Sequence, residues 1–393
     1  MDVELRGDVT DIYFRFIQFS LGIYPGKEFL DGSALKEFNW DAFHEFCVKQ
    51  TLVGIAFDGI QRLPKGTAPH LELLMRWFGM SRKIKRHNVL LNRATAAVYK
   101  RVTAAGYSCC ILKGQGNAVM YPDPSSRTPG DVDVWIKASR EDIRALARLL
   151  AKECSGQVDD ESFNHIGLTL SGIAVELHFT PGFMANVVYH RRLQRWLKRN
   201  VDGQCANMAE LPDGVGSVAV PTRSFNIVYQ LYHLYHHYFY EGVGLRQVVD
   251  YYYALARNED AAAGERERCR RSEDELKALR HELRHLGLWK FAGAMMYVLR
   301  EVMRLPDEAM IAPVDTKRGR LLLDDILNGG NFGHYDQRHA WGRDSYGDNG
   351  FRHGALGHNM LRLLRDFRLL RYYPSEAFSE PFFRIWHFVW RRW

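Results

Sequence analysis

The stretch TPGDVDVWI, Thr128–Ile136, decides the fold. Val132, Val134 and Ile136 have the character of a buried strand, yet Asp131 and Asp133 alternate with them. Strand side chains alternate between two faces, so both carboxylates must point the same way. Two like charges side by side at the edge of a core repel and raise each other's pKa. A divalent cation removes that conflict, because hard Mg²⁺ prefers carboxylate oxygens and keeps room for a phosphate ligand. The plainer alternative is a strand end whose acids cap turns or pair with lysines.

A third acid on an adjacent strand would complete such a site. Glu176, in AVELHF, lies between Val175 and Leu177 and is again a carboxylate inside an apolar strand, with His178 on the same face. A buried ion pair with Arg127 or Lys113 is the structural alternative for Glu176. For His178 the alternative to catalysis is a core or supporting role. Upstream, ILKGQGNA is a strand-to-helix turn. Gly114 and Gly116, with Gln115 between them, allow close backbone approach to phosphate, and the following helix offers N–H groups at its positive end. Lys113 is a candidate point charge toward a nucleotide's phosphates, and Arg127 a candidate for bidentate phosphate contact. Ordinary salt bridges are the alternative for both.

Working outward, residues 1–104 read as a helical N-terminal region. WDAFHEFCVKQTLVGIAFDGIQRL is apolar at three- and four-residue steps behind a capping Asn39, and a long helical pattern from His70 closes at Gly106. Residues 105–182 alternate strand, helix, strand, helix, strand, strand, ending in the hairpin HIGLTL–SG–IAVELHF. Residues 183–325 are helical again, with the aromatic helix SFNIVYQLYHLYHHYFYEG, then LRQVVDYYYALARN, then the charged segment GERERCRRSEDELKALRHELRHLG. Residues 326–393 form a loop-rich and helical extension marked by GGNFG and GRDSYGDNG. The fold class this implies is α+β, a small mixed-sheet core flanked by helical N- and C-terminal regions.

At 393 residues the chain is long enough for two or three packed units, and 46% hydrophobic residues supply a real core. The net charge of +7 suits an anionic substrate, but no long Lys/Arg block points to nucleic-acid binding. The six cysteines show no C-x-x-C spacing, so neither a zinc knuckle nor a disulfide framework is read. The acidic start MDVELRGDVTD has no signal-peptide core and no run of eighteen apolar residues occurs, so a cytoplasmic setting is expected. No repeat of solenoid period is present.

Three further features invite readings. His233, His236 and His237 fall at i, i+3 and i+4, the spacing of a metal pair on one helix face, although an aromatic packing helix with one histidine facing the cleft accounts for them better. Arg246 and Asp250 are spaced to brace a helix at i, i+4. FFRIWHFVWRRW at the C-terminus interleaves aromatics with arginines, and packing onto the helical region is preferred over a membrane surface.

Taken together, L-K-G-x-G, Y-P, R-x-x-G-D-x-D and E-L-H resemble the nucleotidyltransferase superfamily of the DNA polymerase β palm type. More narrowly, LKGQGNAVMYPDPSSRTPGDVDVWI with VELHF and EGVGLRQVVDYY looks like a bacterial family of uncharacterised nucleotidyltransferases, over roughly residues 105–255. The resemblance implies a palm-like core in which Asp131 and Asp133 bind one or two Mg²⁺ ions that hold an NTP. It implies that Glu176 completes the second metal site and helps deprotonate an acceptor hydroxyl, with pyrophosphate leaving. Lys113, Gly114, Gln115, Gly116, Arg127 and His178 would surround the nucleotide. The acceptor is not implied; a small molecule, a sugar, RNA and protein all suit the chemistry. Two departures stand out: Gly114-Gln115 replaces the usual Gly-Ser, and the gap from Gly114 to Asp131 is long. They motivate an alternative, a nucleotide-binding regulatory or partner-binding module without transfer. A histidine-based metal hydrolase using His233, His236 and His237 is a third.

Overall fold

The computed structural model describes residues 3–256, 271–333, 335 and 355–390. Helices α1 (Val3–Ser20), α2 (Lys27–Leu30), α3 (Trp40–Lys49), α4 (Val53–Ile60) and α5 (Leu71–Ala104) come first. The central unit is β1 (Cys109–Ile111), α6 (Gln115–Ala118), β2 (Val132–Ile136), α7 (Arg140–Glu153), β3 (Gln157–Glu161), β4 (His165–Leu170) and β5 (Ile173–His178). After it run α8 (Val187–Ala206), β6 (Met208–Glu210), β7 (Ser217–Ala219), α9 (Arg223–Tyr240), α10 (Leu245–Ala256), α11 (Glu273–His285), α12 (Trp289–Met303), α13 (Thr316–Gly329), α14 (Ala355–Leu370) and α15 (Pro374–Trp390).

The five central strands form one mixed sheet in the order β1-β2-β5-β4-β3, with β2 and β5 parallel and the other pairs antiparallel. The fold is the expected α+β class, a small mixed sheet between helical regions. Period-two alternation sends each strand's residues to two different cores. Cys109, Ile111, Val132, Val134, Ile136, Val175 and Leu177 pack with α5 and α7, while Cys110, Leu112 and Trp135 join the helical core on the opposite face. There Trp135 lies over Phe225 of α9 at 5.8 Å, and Phe225 stacks on Trp196 of α8 at 4.5 Å. Asp133 and Trp135 are two residues apart and share this face, so the acids look toward α9 rather than toward α5 and α7.

Local signals explain most helix ends. Ser139 caps α7 by accepting from the Asp142 N–H, Asn39 caps α3 through Ala42, and Gly106 at φ 87° follows the 34-residue α5. One pattern that reads as continuous is broken. Between α3 and α4 Thr51 takes φ 55°, and buried Gln50 donates to the Ile326 carbonyl and accepts from the Leu245 N–H, tying the break to α13 and α10.

Strand β3 is absent from the expected order. QVDDE lacks strand alternation, yet it pairs with β4 as an edge strand, and Glu161 is clamped by Arg140 at 2.6 Å and Arg144 at 2.8 Å. The hairpin β6–β7 was equally unforeseen. Of the charged segment at 264–287, residues 264–270 including Cys269 lie outside the described residues, and the remainder holds α11 behind a Ser272–Glu275 capping box. GRDSYGDNG at 342–350 and the last three residues, 391–393, also lie outside them. The five described cysteines are free thiols, and no described helix is long and apolar enough to cross a membrane. The aromatic C-terminal helix packs as preferred on one side, Phe383 on Phe183 at 5.0 Å and Trp386 on Phe163 at 5.4 Å, while Phe378, Phe382 and Ile385 remain exposed.

Candidate active site

Parallel pairing of β2 with β5 sets Asp133 directly opposite Glu176, and Asp131 stands at the entry to β2. One ligand oxygen from each of Asp131, Asp133 and Glu176 lies within 4.8 Å of the others. Asp133 is buried. Its Oδ1 accepts from Lys113 Nζ at 2.9 Å and from His178 Nε2 at 2.9 Å, whereas Oδ2 is buried without a hydrogen-bond partner. His178 Nε2 also lies 3.2 Å from Glu176 Oε2, and His165 Nε2 of β4 lies 3.5 Å from Glu176 Oε1. His165 was not singled out from the sequence; a lone histidine opening a strand has no pattern to mark it, and only the register of β4 against β5, His165 opposite His178, brings it here.

The charges are mutually adjusted. The Asp133 carboxylate, helped by burial, raises the Asp131 pKa. Burial opposes ionisation of Asp133, but Lys113 and His178 outweigh it and hold that carboxyl below the usual range. Burial likewise works against the His178 cation, and hydrogen bonds to Asp133 and Glu176 overcome it, pushing the imidazole up to about 9. For Glu176 burial is again the largest influence, but the His178 hydrogen bond prevails and lowers its pKa. Lys113 is mostly enclosed, which works against its charge, yet Asp133 holds its ammonium above the usual lysine range. Two cations therefore serve one oxygen of Asp133. The orphaned Oδ2, the strained charge of Asp131 and the second carboxylate of Glu176 are a donor set that fits a hard divalent ion.

The glycine turn closes on this cluster. Gly114 has φ 52°, and a Cβ there would stand 2.8 Å from the Asp131 carbonyl oxygen; a Cβ on Gly116 would stand 2.8 Å from that of Ile111. Only glycine fits both approaches. The expected open N–H groups of the following helix are largely used inside the turn, since Gly116 donates to Lys113 and both Asn117 and Ala118 donate to Gly114. The Gln115 side chain donates to Asn92 of α5. Lys113, Gly114 and Asn117 line the central cavity, but Gln115 and Gly116 do not.

The expectation for Arg127 needs correction. Its Nε and Nη2 donate to the two oxygens of Asp250 at 2.8 and 2.7 Å, so its bidentate face is on a protein carboxylate rather than open to phosphate. The Arg246–Asp250 brace is displaced by that pair. Arg246 instead donates Nη1 to the Thr128 carbonyl at 3.0 Å, leaves a buried Nε without a partner, and approaches Gly130 beside Asp131. The sequence hint was LRQVVD itself, read for helix bracing instead of for a cation facing the acids.

The cavity over the acids measures about 760 Å³ and reaches α9, α13 and α14. His237 Nδ1 lies 2.7 Å from Glu241 and its Nε2 2.9 Å from His233 Nε2, while His236 stacks on Tyr240 at 4.4 Å. Burial pushes His233 well down and His236 to about 3. Among the described residues the close groups of metal-binding side chains are Asp131–Asp133–Glu176 and His165–Glu176–His178; the three α9 histidines form none.

The family model described as "Uncharacterised nucleotidyltransferase" matches residues 36–304. No curated protein matches the chain. Among solved structures, an antigenic nucleotidyltransferase-like protein from Paracoccidioides brasiliensis is similar over 58% of this chain and 96% of its own, at 14% identity and a TM-score of 0.32.

Proposed function

The chain belongs to the family of uncharacterised nucleotidyltransferases, and from that premise we propose that it moves a nucleoside monophosphate from an NTP to an acceptor hydroxyl, releasing pyrophosphate. The observation that carries this is the Asp133–Glu176 register, which gathers three carboxylates around one orphaned buried oxygen. A core of the DNA polymerase β palm type is part of the same proposal and rests on the β2 acids with the third acid on β5.

Asp131, Asp133 and Glu176 would hold Mg²⁺, which when bound supplies charge neutralisation for the phosphates and acidifies the attacking hydroxyl. Lys113 and Arg246 flank the acids and balance the phosphate charge. Glu176 takes the proton of the acceptor hydroxyl, and His178 fixes the orientation of both Glu176 and Asp133 through Nε2. The hydroxyl oxygen bonds to the α-phosphorus, the α–β phosphoanhydride bond breaks, and pyrophosphate departs. Gly114 keeps the Lys113 backbone close to Asp131, so cation and acids move together.

The test is pyrophosphate release from each of the four NTPs with Mg²⁺ and mixed acceptor pools. Wild type is expected to release it, and Asp131→Ala and Asp133→Ala to lose that release while staying folded. Equal NTP consumption by wild type and both variants would sink the reading. One observation favours the second reading, nucleotide binding without transfer: the Gln115 side chain is drawn to Asn92, so the turn offers the phosphates no hydroxyl. That reading expects saturable NTP binding with no nucleotidylated product from any pool.

A further inference from the structure

Two arginines that line the cavity, Arg362 and Arg365, have no ion pair with an acid among the described residues. Arg362, Arg365 and Arg368 are three residues apart on α14, so one helix face turns all three toward the cavity. Arg368 is matched: Nη1 and Nη2 each lie 2.8 Å from an oxygen of Asp325, which also accepts from the Tyr238 hydroxyl at 2.8 Å. Arg365 is not. Its Nε and Nη2 are buried with no hydrogen-bond partner among the described residues. The acids beside it, Asp366 and Glu380, are engaged by Arg384 at 3.3 and 2.7 Å. Arg365 lines the cavity beside Arg362, and a guanidinium so placed is a planar fork that suits an oxyanion.

These arginines are distinct from the cations beside the acid cluster. The charged groups around Arg246 are Arg127, Asp250 and Asp131, whereas those around Arg365 are Asp366, Arg362 and Glu380. Nucleotidyl transfer requires two substrates in one cavity, and about 760 Å³ is in the range that holds small-molecule ligands. If the triphosphate lies along Lys113, Gly114 and Arg246, the α14 face is left for the second substrate.

We propose that the acceptor is a small hydroxylated molecule carrying an oxyanion, a phosphate ester or a carboxylate, which seats on Arg362 and Arg365 while its hydroxyl reaches the acids. This rests on the nucleotidyl-transfer reading of the site. In the step itself the acceptor oxygen forms the new bond to the α-phosphorus, its proton passes to Glu176, and the α–β bond breaks with loss of pyrophosphate. The anion on Arg362 and Arg365 takes no covalent part; it anchors and orients.

Inorganic phosphate and acetate are the probes, titrated by calorimetry into the full chain already saturated with Mg²⁺ and a non-hydrolysable NTP analogue. At least one probe is expected to bind the loaded chain; phosphate alone indicates a phosphate ester, acetate alone a carboxylate. Arg362→Gln and Arg365→Gln should each weaken that binding tenfold or more and leave the affinity for the analogue within twofold. Arg362 has no hydrogen bond or ion pair among the described residues, so its variant keeps the test valid if Arg365→Gln fails to fold. A loaded wild-type chain that takes up neither probe overturns the proposal alone. So do variants that weaken the analogue and spare the probe. A wild-type chain that binds no NTP analogue overturns the underlying reading, and this proposal with it.

Discussion

Arg127 and Asp250, separated by 123 positions, form a buried two-pronged ion pair with contacts of 2.8 and 2.7 Å, and the Tyr121 hydroxyl donates to the same carboxylate at 2.6 Å. Arg127 precedes the acid-bearing strand and Asp250 belongs to α10. The pair therefore locks the loop that delivers Asp131 and Asp133 against the helical region. Burial opposes both charges, but each partner prevails on the other: Arg127 lies above and Asp250 below its ordinary range.

Breaking this pair from one side leaves an unmatched buried charge. Asp250→Ala should lower the unfolding free energy by about 3–5 kcal/mol, read as a lower urea midpoint. Replacing both partners with apolar residues, Arg127→Met with Asp250→Leu, should recover much of that loss, because no charge is then stranded. A double variant as unstable as Asp250→Ala would show that the contact does not act as an ion pair.

On the proposed reading, Arg246, which lines the cavity beside Gly130, makes the phosphate contact expected of Arg127. Arg246→Gln should weaken NTP binding by about tenfold, the effect of one charge-assisted hydrogen bond, with little change in unfolding midpoint. Arg127→Gln should do the reverse, lowering stability first. Equilibrium binding of a fluorescent NTP analogue, measured alongside thermal unfolding, separates the two.

The acids were legible because an ionisable residue inside an apolar strand breaks its own pattern, and Asp131, Asp133 and Glu176 each do so. The glycine turn was legible because positive φ and close backbone approach leave a compositional mark. What stayed hidden depends on register and long-range pairing. Nothing in IAVELH states that β5 lies parallel to β2, and nothing in SRTPGD states that the arginine will reach α10. The i, i+4 rule favoured Arg246–Asp250, yet a more distant partner satisfied both oxygens of Asp250. Edge strand β3 was missed because Asp and Glu dominate QVDDE and its pairing comes from β4. The arginines of α14 carry no mark of their own in the sequence, since only the tertiary fold shows that their face closes a cavity.

Asp131 is held at a raised pKa by the Asp133 carboxylate and by burial, so ionising it weakens the metal-free fold. Asp131→Asn removes that repulsion. In EDTA the variant should be more stable than wild type, by about 0.5–2 kcal/mol, a gain of the size seen when a functional site's internal strain is relieved. With Mg²⁺ and NTP the order should invert, because wild type gains ligand-linked stability that the variant has lost. Thermal unfolding in the two buffers checks both halves.

The last prediction concerns pH, well away from the acid cluster. Glu376 of α15 accepts from the Ala185 N–H at 2.7 Å and the Asn186 N–H at 3.3 Å, at the start of α8. Burial nevertheless pushes it up to about 7, and burial together with a hydrogen bond to Glu380 pushes Asp366 up to about 8. In the unfolded chain both carboxyls release their protons near pH 4. Folding therefore takes up protons between about pH 4 and pH 8, and the stability linked to them is full below pH 4 and is lost as pH rises through 7 and 8. Urea unfolding from pH 5.5 to 8.5 should show stability falling, by up to about 1.4 kcal/mol per pH unit for each proton held. Glu376→Gln, which keeps an acceptor for both N–H groups without the charge, should make the fall below pH 7 shallower and leave the fall between pH 7 and 8, which belongs to Asp366 and His178, as it is in wild type. A profile identical to wild type would show that Glu376 is already ionised in the folded chain, its charge carried by the α8 N–H groups.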